Sequence, residues 1–545
     1  MNDRPTRICL VSAELAPFSG GGAGVYAAHM ARALAGSGAE VHLLTTPHQK
    51  LDSRAERLFP GVRIHTHDPS TGDFAFPAYH CPPMRRAMSV YQALKPLHDE
   101  HRFDIIETPD IRAEGYFLFR ARRAMGLFED CVLSVRVHTP GAVLYDRHGR
   151  SWYNRSDAVV EHMERTVLAE ADILLSPSAA AIAEIERVLP GVRREGRPEA
   201  VTPNPFPSRP APPRADGPTM LLCVGRIERL KGQHLLVAAA IELLDKGHDF
   251  SVLLAGADSV TGPLRASMRD TIAKTIPGRW RDRFVFLGPV DPPTVRRLLS
   301  RATALVAPSL WDNFPYSVLE AMGAATPVIA SDAGGIPEMI TDREHGLLFA
   351  SGDASALRDA IETLIEDTEL QSALSAAGPA RARELADPQA AATKALDAYA
   401  PLLKPAEPRR SAPAVTQRRL CVVIPYFNMG ELTDQTLASL AKQTRQPDEV
   451  VLVNDGSTDP ASLDWLDRTA RRNTHHLPLR VVHTDNAGVA SARNTGVART
   501  DSPLVFPLDA DDLLAPDAIE KLEAALDRNP GAAYATPLIA SFRKD

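Results

Sequence analysis

Cysteine is scarce here: 545 residues hold five, an odd number without CxxC or zinc-like spacing. That argues against a disulfide scaffold or a structural metal site and fits a reducing cytosol. Cys9, Cys223 and Cys421 lie in short apolar runs, where cysteine serves as a small apolar residue. Basic charge is not in excess either. A net charge of −7 gives no footprint for nucleic acid, so no nucleic-acid partner is expected. Two local clusters, Arg193, Arg194 and Arg197, then Arg409, Arg410, Arg418 and Arg419, read as solvated faces with a weak attraction for anionic lipid. No uninterrupted apolar run is long enough to span a bilayer, and MNDRPTRICLVSAEL lacks the apolar region of a signal peptide. The expected location is the cytoplasm, with peripheral contact at the inner membrane face if the acceptor is membrane-bound.

What is present is a chain too long for one core, enough for three or four domains, with 44% hydrophobic and 24% charged residues, as in ordinary globular protein. Its organising stretch is ATALVAPSLWDNFPYSVLEAMGAATPVIASDAGGIPE, residues 302–338. ATALVAP and PVIAS have strand length, and SVLEAMGAA and the segment after DAGG read as helices. Two strand-to-helix crossings in a row form the carboxyl edge of an open α/β sheet, where helix N-termini and glycine-bared amides favour a diphosphate. Asp312 and Glu320, with seven residues between them, are placed to reach sugar-nucleotide hydroxyls. The plainer reading is a surface loop acid and a salt-bridged helix acid.

PSLWDNFPYSVLEAM followed by PVIASDAGG resembles the donor site of retaining GT-B glycosyltransferases of family 4, whose signature is Glu, seven residues, Glu, a strand and a Gly-Gly turn. Asp312 stands where the family has its first Glu, one methylene shorter. Pro315 replaces a residue with a backbone N–H. The resemblance implies that Asp312 holds the transferred sugar, that Glu320 accepts from ribose hydroxyls, and that Phe314, Gly334 and Gly335 line the donor site. VGRIERLKG carries Arg226 and Lys231, five residues apart, which match the family's donor-phosphate pair. One is a bidentate fork and the other a point charge. RICLVSAELAPFSGGGAGVYAAHMARAL opens a βαβ unit whose turn holds Gly20, Gly21, Gly22 and Gly24. Its spacing is not GxGxxG, and by resemblance Gly21 and Gly22 face the donor phosphates or the acceptor. His138, after the strand CVLSVRVH, corresponds to a family His that touches the donor sugar through a neutral imidazole. Glu14 and Glu107 are weaker acceptor-side candidates. No DxD occurs in these lobes, so no cofactor is expected for this reaction. Retention of configuration is implied by the family alone, since no nucleophile stands out.

A second Pro-rich, basic linker precedes a new opening strand. IPYFN, NDGSTD, NAGVASARNTG and LDADD follow in order and resemble the nucleotide-binding half of GT-A glycosyltransferases of family 2. That pattern implies Asp455 on the base or ribose, Arg493 on the phosphates, Asp509 on the ribose side and Asp511 on a metal. Clustered acids at a strand end suit Mg²⁺ or Mn²⁺ bridging a diphosphate. The family's acceptor half and catalytic base come after the metal motif. The expectation is therefore a piece of a longer bifunctional protein or a non-catalytic module.

The expected fold is α/β, two Rossmann-like lobes (GT-B) followed by a partial GT-A domain. Its parts are a first lobe at 1–205, a linker at 206–218, a donor lobe at 219–385, a helix crossing back at 386–403, a linker at 404–418 and a family 2-like domain at 419–545. The expected function is transfer of a sugar from a nucleotide-sugar donor to a glycan or lipid-linked acceptor, with retention, in cell-surface polysaccharide or lipopolysaccharide synthesis. Two alternatives stay open: a silent C-terminal module that binds or tethers the acceptor, and a GT-B-shaped sugar-nucleotide epimerase.

Overall fold

Three all-parallel sheets carry the chain. The structure, a computed structural model, describes residues 4–19, 21–49, 51, 54–70, 82–149, 155–207, 217–404, 418–529 and 532–536. Gly20, most of both linkers and most of the strand-like YATPLIASF at 534–542 lie outside the described residues.

The first sheet comprises β1 (Arg7–Val11), β2 (Glu40–Thr45), β3 (Val62–Thr66), β4 (Ile105–Pro109), β5 (Val132–Arg136), β6 (Ile173–Ser176) and β7 (Glu199–Val201), in the order 3-2-1-4-5-6-7. The second comprises β8 (Met220–Val224), β9 (Ser251–Ala255), β10 (Phe284–Gly288), β11 (Ala304–Ala307), β12 (Val328–Ser331) and β13 (Leu347–Phe349), in the order 10-9-8-11-12-13. The third comprises β14 (Leu420–Tyr426), β15 (Glu449–Asp455), β16 (Leu479–Thr484) and β17 (Leu504–Pro507), in the order 16-15-14-17. The chain divides into two compact units, the first of residues 1–119, 128–406 and 542–545 and the second of residues 120–127 and 407–541. The first unit holds two sheets and the second unit holds one.

Central strands such as β4, β5 and β14 are buried along their whole length, because helices cover both faces of a parallel sheet. These are the runs legible from hydrophobicity. β3 and β16 are only half-buried edge strands, and their mixed composition gives no such signal. β13 also differs from expectation. The stretch GLLFASGDASALRDAIETLIED reads as one amphipathic helix, but Leu347–Phe349 pair with β12. The helix starts only at Ala354, where the Asp353 carboxylate accepts from the Ser355 and Ala356 amides.

The Pro388–Tyr399 helix begins with Asp387 accepting from Ala390 N–H and Pro388 in the first turn. Its Ala391, Ala392, Ala395 and Tyr399 enter the core of the first sheet. Cys9, Cys131, Cys223 and Cys421 are buried free thiols. The first basic cluster is not an open cationic face, since Arg193 and Arg197 both pair with Glu199, at 2.6 and 3.5 Å. Among the described residues no helix is long and apolar enough to cross a membrane.

Candidate active site

In each sheet the strand order reverses once, and at that point two carboxyl-end loops diverge and leave a crevice. In the second sheet the reversal lies between β8 and β11, whose loops carry Lys231 and Asp312. Lys231 ends a short turn, Arg229–Lys231, closed by Gly232 in the left-handed conformation (φ 68°). A Cβ at Gly232 would lie 1.8 Å from the Pro308 carbonyl, so only glycine lets the two loops meet. Across that contact Lys231 Nζ donates to Asp312 Oδ2 at 2.5 Å. Burial works to lower the Lys231 pKa, but the Asp312 carboxylate outweighs it and the ammonium is held above its ordinary range. Arg226 is different. Its side chain is 66% exposed and turns to Glu228 at 3.3 Å, yet its charge still opposes that of Lys231. One cation therefore sits in the pocket and the other stands at its rim.

Glu320 projects from the Tyr316–Gly323 helix, half-buried, and burial pushes its carboxyl up to about 7. Phe314 does not line the site with its ring, which is 5% exposed and packed in the core with Val318, Leu319 and Ile336. Only its backbone faces the loop. Gly334 and Gly335 also differ from expectation. Gly335 N–H donates to the Asp312 carbonyl at 2.9 Å, and a Cβ on Gly334 (φ 58°) would lie 2.1 Å from that same oxygen. The pair thus props up the Asp312 loop, and the Gly335 amide is already spent. The following helix, Ile336–Met339, is a single turn.

In the first sheet the reversal lies between β1 and β4. Gly21 caps the Gly22–Gly36 helix at φ 139°, and a Cβ there would meet Glu14 Oε2 at 1.9 Å. Glu14 therefore covers this helix start. Gly22 has nothing within 4 Å of where a Cβ would be and faces open space. His138 follows β5, with its N–H on Asp110 Oδ1 at 2.8 Å and its ring edge-on to Tyr26 at 5.3 Å. Burial, then the nearby Arg136 guanidinium, push its imidazole down to about 3, so it is neutral as expected.

Four further residues build the site, of which only Asn313 lies inside the donor-site stretch, where it was given no role. Asn313 Nδ2 donates to the His138 carbonyl and, at 2.9 Å, reaches Thr139 Oγ1, which ties the Asp312 loop to the His138 loop. Asp110 accepts from both Ile111 and His138 amides. Glu164 accepts from Arg112 and Gly141 amides, each at 2.8 Å. Burial raises these two carboxyls to about 7 and about 8. Arg136, buried under Tyr26 with its guanidinium 4.3 Å from the ring centroid, bonds Asn204 Oδ1 at 2.8 Å. Glu107, a predicted acceptor-side residue, is instead a buried anchor that accepts from Tyr26 Oη at 2.8 Å and Tyr399 Oη at 2.6 Å. A cavity of about 870 Å³ is lined by Tyr145, His148, Arg229, His234 and Arg265, among others, and none of Arg226, Lys231, Asp312, Glu320 and His138 lines it.

The second unit repeats the pattern, with reversal between β14 and β17. Asp455, buried at the end of β15, accepts from Ala487 and Gly488 amides at 2.9 and 2.8 Å, so both oxygens hold the NAG loop. Arg493 forms an ion pair with Asp509. Asp511 and Asp512 are exposed beside it. Burial first, then repulsion from Asp509 and Asp511, raises the Asp512 carboxyl. Arg493 offsets part of this repulsion, and oxygen donors of this kind suit a hard divalent cation.

Comparison with known proteins agrees with this architecture. Residues 21–205 match the glycosyl transferase 4-like domain, 207–381 the glycosyl transferases group 1, and 421–544 glycosyl transferase family 2. The lipopolysaccharide core biosynthesis mannosyltransferase LpcC of Rhizobium leguminosarum bv. viciae is 37% identical over 27% of this chain and 41% of its own length. The chain thus matches less than half of that relative. A glycogen synthase of Mycobacterium tuberculosis is 28% identical over 66% of this chain and 86% of its own. Among solved structures, sucrose-phosphate synthase from Thermosynechococcus elongatus superposes with a TM-score of 0.58 at 23% identity, covering 73% of this chain and 99% of that one. HepE of Anabaena, in complex with UDP and glucose, superposes with a TM-score of 0.55 at 17% identity, over 73% and 100%. The chain belongs to the glycosyl transferase families, with group 1 (family 4) domains of GT-B architecture over residues 21–381 and a family 2 domain over 421–544.

Proposed function

We propose that the two-lobed unit transfers a sugar from a nucleotide-sugar donor to a glycan or lipid-linked acceptor, with retention, in the synthesis of a cell-surface polysaccharide or lipopolysaccharide. The observation that carries this is the Lys231–Asp312 pair at 2.5 Å, on a loop that Asn313 bonds to the His138 loop. This reading sets a cation, two carboxyl groups and a neutral imidazole from two sheets around one cleft. The Rhizobium relatives named as lipopolysaccharide core mannosyltransferases support the setting, and the UDP and glucose held by HepE support the donor class.

Before a donor arrives, Lys231 is neutralised by Asp312. A diphosphate offers the ammonium a second anion, and exposed Arg226 swings its fork onto the same phosphates. As the glycosidic bond breaks, charge grows on the leaving diphosphate, and both cations favour that state over the ground state. Asp312, released from Lys231, accepts from a sugar hydroxyl. His138 hydrogen-bonds another, and Glu320 accepts from the ribose. In the family 2 domain, Asp511 would hold Mg²⁺ or Mn²⁺, which would supply charge neutralisation to a donor diphosphate, with Asp509 on the ribose side.

Lys231→Ala should lower transfer by about 10²–10³-fold, the usual loss for one preorganised charge partner. It should also abolish thermal stabilisation by whichever UDP-, GDP- or ADP-sugar raises the melting temperature of the unaltered protein. Undiminished transfer by this variant would overturn the assignment.

A further inference from the structure

Three histidines far apart in sequence meet in the first unit, away from the cleft. His42 lies in β2, His65 in β3, and His101 ends the Pro82–His101 helix. Residue 42 pairs with 63, and 44 with 65, so His42 and His65 are diagonal neighbours on one face of the sheet. The helix delivers His101 to that face from the amino edge of β4, opposite the carboxyl edge that carries the active-site loops.

The ring nitrogens converge. His42 Nδ1 lies 2.9 Å from His65 Nε2, the His42 and His101 ring centroids are 4.4 Å apart, and one nitrogen from each ring falls within 4.8 Å of the others. Tetrahedral zinc with bonds of 2.0–2.1 Å separates its ligand nitrogens by about 3.3 Å, so the first pair needs to open by roughly half an ångström. Glu40 Oε1 stands 3.4 Å from His42 Nε2. It is itself held by Arg7 at 3.0 Å and Arg63 at 2.8 Å. A carboxylate at that nitrogen keeps the proton on Nε2 and leaves the Nδ1 lone pair aimed at His65, the outer-shell arrangement typical of metal-bound histidine. His42 is wholly buried. His65 and His101 are partly exposed, which leaves a way in for an ion and room for a water as fourth ligand.

The geometry points to a divalent transition-metal site of the zinc class, with His42, His65 and His101 as ligands and Glu40 behind His42. It clamps β2, β3 and the Pro82–His101 helix and takes no part in sugar transfer. The plainer alternative is a hydrogen-bonded histidine cluster with no affinity for metal.

The test uses the full chain, stripped with chelator and titrated with Co²⁺ alone. Three-histidine, water-capped Co²⁺ gives intense visible absorption. Co²⁺ bound only by carboxylates, as at Asp509–Asp512, is octahedral and nearly colourless. The expected result is a saturable tetrahedral band for a single equivalent, displaced by Zn²⁺. It should be lost in His65→Ala and in His101→Ala, and its affinity should fall about 10–100-fold in Glu40→Gln. His101 sits at a helix end, so its variant keeps the fold, checked by circular dichroism. Absence of the band, or a band unchanged in His101→Ala, would overturn the proposal.

Discussion

At the residue scale the site turns on groups whose charge state their surroundings set. Burial alone raises the Glu320 carboxyl to about 7, so near neutrality part of the unliganded protein carries it protonated, unable to accept from both ribose hydroxyls. kcat/KM, which reports the free enzyme, should therefore rise with pH through about 7, and Glu320→Gln should erase that limb while lowering the plateau. A pH profile of both proteins checks this. The same shift touches stability. The folded state binds this proton between the ordinary glutamate range and about 7 while the unfolded chain does not, so the contribution is complete below the ordinary range and lost as pH rises through 7. Lys231, Asp312 and His138 were legible because each stands in a motif. Their partners were not. Asn313 and Glu164 act through where their side chains point, and Phe314 shows the converse, a motif residue whose ring turned into the core.

At the scale of elements the carboxyl ends of strands were readable, and their lateral order was not. Hydrophobic runs identify β8 and β11 separately, but only the sheet order 10-9-8-11-12-13 makes them neighbours with diverging loops. The Pro388–Tyr399 helix shows how one element reassigns a residue. Its terminal Tyr399 reaches Glu107 at 2.6 Å and Ser134 Oγ at 3.1 Å. Tyr399→Phe leaves a buried carboxylate with one partner fewer and should cost about 1–3 kcal/mol, read as a lower denaturation midpoint for the first unit, with the Glu320 limb of the pH profile unmoved. A midpoint equal to that of the unaltered chain would return Glu107 to the list of acceptor-side candidates.

For the whole molecule, two compact units each carry a sheet-edge site of their own. The Lys231–Asp312 pair belongs to the first and the Asp509–Asp512 acids to the second, so their losses should separate. Asp511→Ala should leave transfer by the first unit within about twofold while removing divalent-cation-dependent nucleotide-sugar binding by the second. Equilibrium dialysis with and without Mn²⁺, beside the transfer assay, measures both; a joint loss would mean that the two sites act as one. The sequence alone determined the α/β class, the two families in their order along the chain, and which loops carry charge, because strand-length apolar runs and short motifs are local properties. Tertiary structure decided which of those charges meet. Lys231 met Asp312, 81 residues away in sequence, through the contact at Gly232, Arg226 stayed outside, and three unremarked histidines gathered on one sheet face, because side-chain direction and strand order follow from packing that no local pattern encodes.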